Sequence, residues 1–147
     1  MIDMEQHILV PVDSSSSSES AFEYVLEEIP EPTITLLHVL NPLTVFNQVR
    51  AEGFDYEKSR QIEQERREVI EQIFDEYRSK GAARDREIKT VIEAGAPDEK
   101  ILEYTENMGV DHIVMGSRGR SGMEEALLGS VAKAVVKRSS VPVTIVP

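Results

Sequence analysis

Four residues in the C-terminal third of the chain, Gly116, Gly119, Gly129 and Ser130, have the types and spacing of a phosphate-holding device. Glycine lets a backbone approach a ligand closely, because it carries no Cβ. A helix start offers N–H groups with no intrahelical partner and the positive end of the helix dipole, which suits an anion. Gly116 follows the apolar run His112–Met115, and Gly129-Ser130-Val131 opens a helical stretch. Glycines therefore stand both at a strand end and at the next helix start, with a hydroxyl at the second. Neither of the common phosphate signatures is present. No Lys precedes Ser130, as a P-loop requires, and the turn after the first strand is serine-rich where a dinucleotide fingerprint needs glycines. No hydrolytic triad is evident. The three histidines, His7, His38 and His112, lie in or beside strands without metal-ligand spacing, and are expected to be packing or capping residues.

The elements that must position these residues alternate. His7–Val12 is a short apolar run closed by Asp13 and five serines, the pattern of a buried strand. The serine run itself is expected to form a turn and helix N-cap. Ser18–Ile29 carries apolar residues at helical spacing, and Pro30 and Pro32 end it. Thr33–Leu40 is a second β-rich run, stopped by Asn41-Pro42, after which a polar connection leads to a helix at Glu57–Lys80. There Ile62, Val69, Ile70, Ile73, Phe74 and Tyr77 form the apolar stripe, and Gly81 suits the C′ position. Glu87–Glu93 alternates like an edge strand, and Pro97 suits the start of a helix that ends near Gly109. A fourth strand at His112–Met115, a glycine-rich loop at Gly116–Gly122, a mainly helical Met123–Lys137 and a last strand at Val141–Val146 complete the chain. Strands separated by helices imply parallel pairing with right-handed crossovers, in one α/β domain covered on both faces.

Composition narrows the partners. The chain has 147 residues, 27 acids against 16 bases, a formal net charge of −11 and no cysteine. Surplus acid disfavours sequence-independent nucleic-acid binding and attachment to anionic membranes. A local nest of N–H groups can still hold a small anion. Without cysteine there is no disulfide framework and no thiolate metal site. No apolar run approaches the roughly 20 residues that span a bilayer, and Met1–Gln6 lacks a signal-peptide pattern, so a cytoplasmic location is expected.

At the glycine motif the sequence resembles the ATP-binding branch of the universal stress protein family. That family's Gly-x2-Gly-x9-Gly-Ser/Thr signature is matched by Gly116, Gly119, Gly129 and Ser130, within a segment similar to the family through the closing Pro-Val strand. Pro11 and Asp13 match the end of the family's first strand, and Gly95 and Pro97 match after the third. Ser14 departs from the family's usual Gly or apolar residue. The resemblance covers nearly all of residues 1–147 as one domain, with 41–60 poorly anchored.

It implies a five-stranded parallel sheet in the order 3-2-1-4-5, with a ligand cleft where the strand order switches. Pro11, Val12 and Asp13 would lie at one strand end there and Met115 and Gly116 at the other. By the same resemblance Asp13 would bind ribose, and Val39 and Met115 would flank adenine, though a strand Val is equally a core residue. Gly116, Gly119, Gly129, Ser130 and Val131 would hold phosphates. Arg118 and Arg120 would neutralise phosphate charge or remain solvated. ATP, ADP or AMP is the implied ligand, with Mg²⁺ or Mn²⁺ riding on the phosphates. A homodimer through Val141–Val146, an unidentified protein partner and at most weak hydrolysis complete what the resemblance implies. Three classes stand open: a nucleotide-dependent stress or signalling module, a nucleotide-free dimeric interaction module, and an adenylate-transferring enzyme of a related fold. The last would carry a glycine-containing pyrophosphate loop where this chain has Asp13 and serines.

Overall fold

The computed structural model describes residues 6–13, 15–30, 32–53, 55–117 and 128–147. The elements are β1 (His7–Pro11), α1 (Ser16–Glu28), β2 (Thr33–Leu40), α2 (Pro42–Glu52), α3 (Tyr56–Ala82), β3 (Ile88–Ala94), α4 (Pro97–Asn107), β4 (His112–Gly116), α5 (Ser130–Arg138) and β5 (Val143–Val146). The five strands form one sheet in the order β3-β2-β1-β4-β5, with every pair parallel, as the sequence implied.

Alternation within β1 shows why its sequence is apolar throughout. Ile8 and Val10 point into a core shared with Phe22 and Val25 of α1 and Phe74 and Tyr77 of α3. Leu9 points to the opposite face, where it meets Ile101 of α4 and Val135 of α5. A strand buried on both faces has no polar side to show. At these buried positions the sheet excludes water completely: Ile8, Leu9 and Val10 are each 0% exposed.

Four local expectations are corrected. Residues 41–56, expected as a polar connection, contain α2. Asn41 caps it, Oδ1 accepting from Leu43 N at 3.0 Å, and Pro42 occupies the first turn. The pair that stops β2 thus also starts a helix. Gly81 is not a C′ residue but lies inside α3, where an added Cβ would stand 2.6 Å from Ile88 Cγ1. It is small so that α3 can close on β3, and the left-handed residue after the helix is Asp85, at φ 56°. Val69 leaves the apolar stripe and is largely exposed. The last helix starts at Ser130, since Leu128 and Gly129 are not helical, while 123–127 lie outside the described residues.

The histidines are bonded within the fold. His7 contacts Met108 O through Nδ1 at 3.2 Å and Thr35 Oγ1 through Nε2 at 2.9 Å. His112 Nε2 meets Thr144 Oγ1 at 2.7 Å, tying β4 to β5. Burial disfavours the imidazolium, so the pKa of His112 lies below its ordinary value. The unfolded chain therefore takes up this proton first on acidification, and stability is expected to fall as pH drops below about 6.5. His112→Gln, measured by urea midpoints from about pH 8 to about pH 5, should flatten that part of the profile relative to the parent chain. Identical profiles would assign the acid sensitivity to other groups.

Candidate functional site

At the carboxyl ends of β1 and β4 the sheet opens into a cleft of about 360 Å³. This is the point where the strand order reverses: β1 pairs β2 on one side and β4 on the other, so their outgoing connections diverge. The cleft gathers Pro11, Val12 and Asp13 from the end of β1, and Val39 from β2. Met115 and Gly116 of β4 complete the sheet side, and Gly129, Ser130 and Val131 come from the start of α5. Every sequence-predicted site residue that the structure describes is in this one cavity. Arg118, Gly119 and Arg120 lie outside the described residues, as does Ser14.

The two halves of the glycine motif are held together by backbone. Gly129 N donates to Ser117 O at 2.7 Å, and Ser117 N donates to Val146 O at 3.0 Å. The start of α5 is thereby fixed to the end of β4 and, through it, to β5. Gly129 is the N-cap residue and provides no side-chain cap. Lys133 N makes the return bond to Gly129 O at 2.9 Å, so the N–H groups of Ser130, Val131 and Ala132 precede the first helical hydrogen bond. Three uncapped donors at a helix start, lining a cleft, form an anion-accepting end.

Asp13 is held by the serine turn. Its Oδ1 accepts from Ser15 N at 2.7 Å and from Ser18 Oγ at 2.9 Å, while Ser18 Oγ accepts from Asp13 N at 3.0 Å. Ser15 in turn caps α1 by accepting from Ser18 N at 3.2 Å. Among the described residues every hydrogen bond to the carboxylate falls on Oδ1, so Oδ2 is the oxygen available to a ligand. The serine run does serve as turn and N-cap, and the same serines orient the carboxylate.

Several lining residues were missed from the sequence. Asn41 and Thr44 bring α2 to the cleft, and Arg66 reaches it from α3. Arg66 had a readable signal: it stands four residues from Ile62 and from Ile70, within a stripe that is otherwise apolar. Ser117 is buried, lines the cleft, and its Oγ has no hydrogen-bond partner. His38 also lines it, its Nδ1 donating to Val12 O at 2.7 Å and bracing the end of β1. The described lining holds one carboxylate, Asp13, and one guanidinium, Arg66, so the chain's surplus acid lies elsewhere.

Gly116 has a reason of its own. A Cβ built there would stand 2.0 Å from Ser17 Oγ and 2.6 Å from the Ser17 carbonyl carbon. The residue is thus required by the packing of α1 against β4, with or without a ligand.

An open parallel sheet with a glycine-lined cleft at its switch point defines a Rossmann-like α/β domain, and sequence comparison places it further. The chain matches the universal stress protein family over residues 4–147 and belongs to that family. It is 30% identical over 158 residues to universal stress protein MJ0577 of Methanocaldococcus jannaschii, covering 97% of this chain and 95% of that one. It is 32% identical to universal stress protein YxiE of Bacillus subtilis, covering 97% and 99% of the two chains. The solved structure of MJ0577 superposes with a TM-score of 0.82 over 98% of this chain and 96% of that one. A family member from Arabidopsis thaliana, solved with AMP bound, shares the fold at 22% identity and a TM-score of 0.70, with coverage of 96% and 90%.

Proposed function

We propose that this chain belongs to the ATP-binding branch of its family and works as a nucleotide-dependent stress-response or signalling module. The observation that carries the reading is the convergence of β1, β2, β4 and the start of α5 on one cleft, which both the helix start and Asp13 line. The AMP held by the Arabidopsis relative supports an adenine nucleotide as the ligand class. Val39 and Met115 provide apolar walls for the base, Asp13 Oδ2 accepts from ribose hydroxyls, and Ser130 and Val131 receive phosphate, with Gly129 leaving room for its approach. Gly119 and Arg118 extend the same phosphate end in the sequence motif. Mg²⁺ or Mn²⁺ arrives on the phosphates, as divalent ions with few protein ligands do. The module hydrolyses ATP at most weakly.

The same reading makes the protein a homodimer through β5. The outer edge of this strand carries no charge, whereas the opposite edge, β3, carries Lys89 and Glu93. An uncharged outer strand is covered most economically by its own copy about a two-fold axis.

Thermal unfolding of nucleotide-stripped protein tests the ligand. At 100-fold excess over Kd, AMP or ATP with Mg²⁺ should stabilise by about 2.7 kcal/mol, which raises Tm by roughly 5–10 °C in a domain of this size. Asp13→Ala should reduce the shift for AMP and ATP alike, since it addresses ribose. A loss confined to ATP would move Asp13 to the phosphate or metal. No shift at millimolar nucleotide would leave the nucleotide-free interaction module as the reading.

A further inference from the structure

Among the described lining of the cleft, α3 supplies a single residue, Arg66, so it is the long side chain that reaches in. Arg66 belongs to the helix row Ile62, Arg66, Ile70, in which both isoleucines are buried. Gly81 sets the level at which this row meets the sheet. It packs on Ile88 at the start of β3, and the short turn between them makes α3 run back against that strand. Arg66 stands fifteen residues before Gly81, a climb of about 22 Å along the helix. The seven residues of β3 extend about 20 Å. At Arg66 the inward row has therefore reached the carboxyl ends of the strands, and it meets the cleft where an isoleucine would meet a strand.

The packing also fixes the end of the cleft to which Arg66 belongs. α3 lies on β3, whereas α1 lies on β4 and β5. α2, whose Asn41 and Thr44 line the cleft beyond β2, packs against α3 as well. The start of α5 is bonded to Ser117, just past β4. Since β1 separates β2 from β4, the two sides are two strand spacings apart, about 10 Å. Arg66 thus approaches from the side of Val39, away from the helix start.

We propose that Arg66 is a base-recognition residue, whose guanidinium lies flat on the base of the bound nucleotide and favours a purine over a pyrimidine. The proposal rests on the nucleotide reading and adds the determinant of base class. A guanidinium is planar, weakly hydrated and always charged, and it stacks on aromatic faces. Around this end Leu37, Val39 and Ile101 are apolar, and Asn41 Oδ1 is spent on capping α2. Contact through the face needs no matched hydrogen-bonding edge. Adenine and guanine both present the larger two-ring face, whereas a pyrimidine covers less of the plane.

Competition against labelled AMP, by equilibrium dialysis on the full chain, tests the assignment. The competitors are adenosine, AMP, ATP with Mg²⁺, CMP and ribose 5-phosphate. Arg66→Ala should weaken adenosine, AMP and ATP by one common factor, about three- to thirtyfold, the range for a cation on an aromatic face. The preference for AMP over CMP should narrow. Ribose 5-phosphate keeps the sugar and phosphate without a base, so the variant should bind it as the parent chain does. A loss that grows from adenosine to ATP would overturn the proposal and place Arg66 on phosphate. Equal weakening of ribose 5-phosphate would overturn it in favour of a structural role. An unchanged preference for AMP over CMP would overturn it even where ribose 5-phosphate competes too weakly to measure. A parent chain that binds no adenine probe would overturn the nucleotide reading and this proposal together, whereas AMP bound equally by parent and variant would overturn this proposal alone.

Discussion

Gly129→Val is expected to abolish nucleotide binding, weakening AMP and ATP at least about 100-fold, while the domain still folds. Gly129 sits at φ −63° and ψ 158°, a conformation open to any L-residue, so valine there strains no backbone. Its N–H, which donates to Ser117 O, is retained in the variant. The change is a branched side chain added to a buried residue beside the helix start, where a phosphate must approach Ser130 and Val131 closely. Losing two hydrogen bonds to a charged group, at about 1.5–3 kcal/mol each, gives a deficit of that order. Equilibrium dialysis with labelled AMP measures it directly. Binding that persists, accompanied by lowered stability, would make Gly129 a turn residue and remove the helix start from the site.

Ile145→Pro is expected to convert a micromolar dimer to monomer. Ile113 N donates to Pro142 O and Ser117 N donates to Val146 O, so the even-numbered carbonyls of this stretch face β4. By strand alternation the main-chain groups of Val143 and Ile145 face the open edge. Proline at 145 removes one of these outward donors and leaves the bonds to β4 in place, as edge positions allow, while trimming the Ile145 contact with the core around Leu9 and Ile113. Charge substitution at Thr144 and Val146 is a poorer probe. Thr144 Oγ1 bonds His112, and Val146 packs against the core around Phe22 and Val114. The pairing edge is also shorter than the sequence stretch Val141–Val146, because β5 begins at Val143. Light scattering at matched concentrations decides: a monomeric parent chain, or a variant that remains dimeric, would exclude this edge as the interface.

Much of the fold was legible because its strands obey simple rules. A strand buried on both faces must be apolar throughout, so β1, β2 and β4 stand out as runs, and β3 alternates because it is an edge. The strand order was not in the periodicity. It came from the family resemblance, which the sheet now supports. The glycine cluster and Asp13 pointed to one site, and the described members of that set share a cleft. The less legible parts are those where one residue serves two elements. Asn41-Pro42 ends a strand and begins a helix, so a stop signal concealed α2 and with it Asn41 and Thr44. Gly81 was expected as a helix end because glycine is common there, whereas Ile88, seven residues on, is what requires it. Arg66 was passed over because a long, highly charged helix makes any single arginine unremarked, although its place between Ile62 and Ile70 set it apart.

The closeness of Gly116 to α1 bears on how this site can change over evolutionary time. Two of the three atoms that a Cβ at 116 would strike belong to the Ser17 side chain, but the third is its main-chain carbonyl carbon, at 2.6 Å. Trimming Ser17 therefore cannot make room, and no partner mutation at 17 can rescue alanine at 116 without moving the helix itself. A descendant that held no ligand at all would still be bound to glycine here. Persistence of this glycine among relatives therefore reports on the seating of a helix, and retained ligand binding has to be read from the drift permitted at Asp13, Gly129 and Ser130.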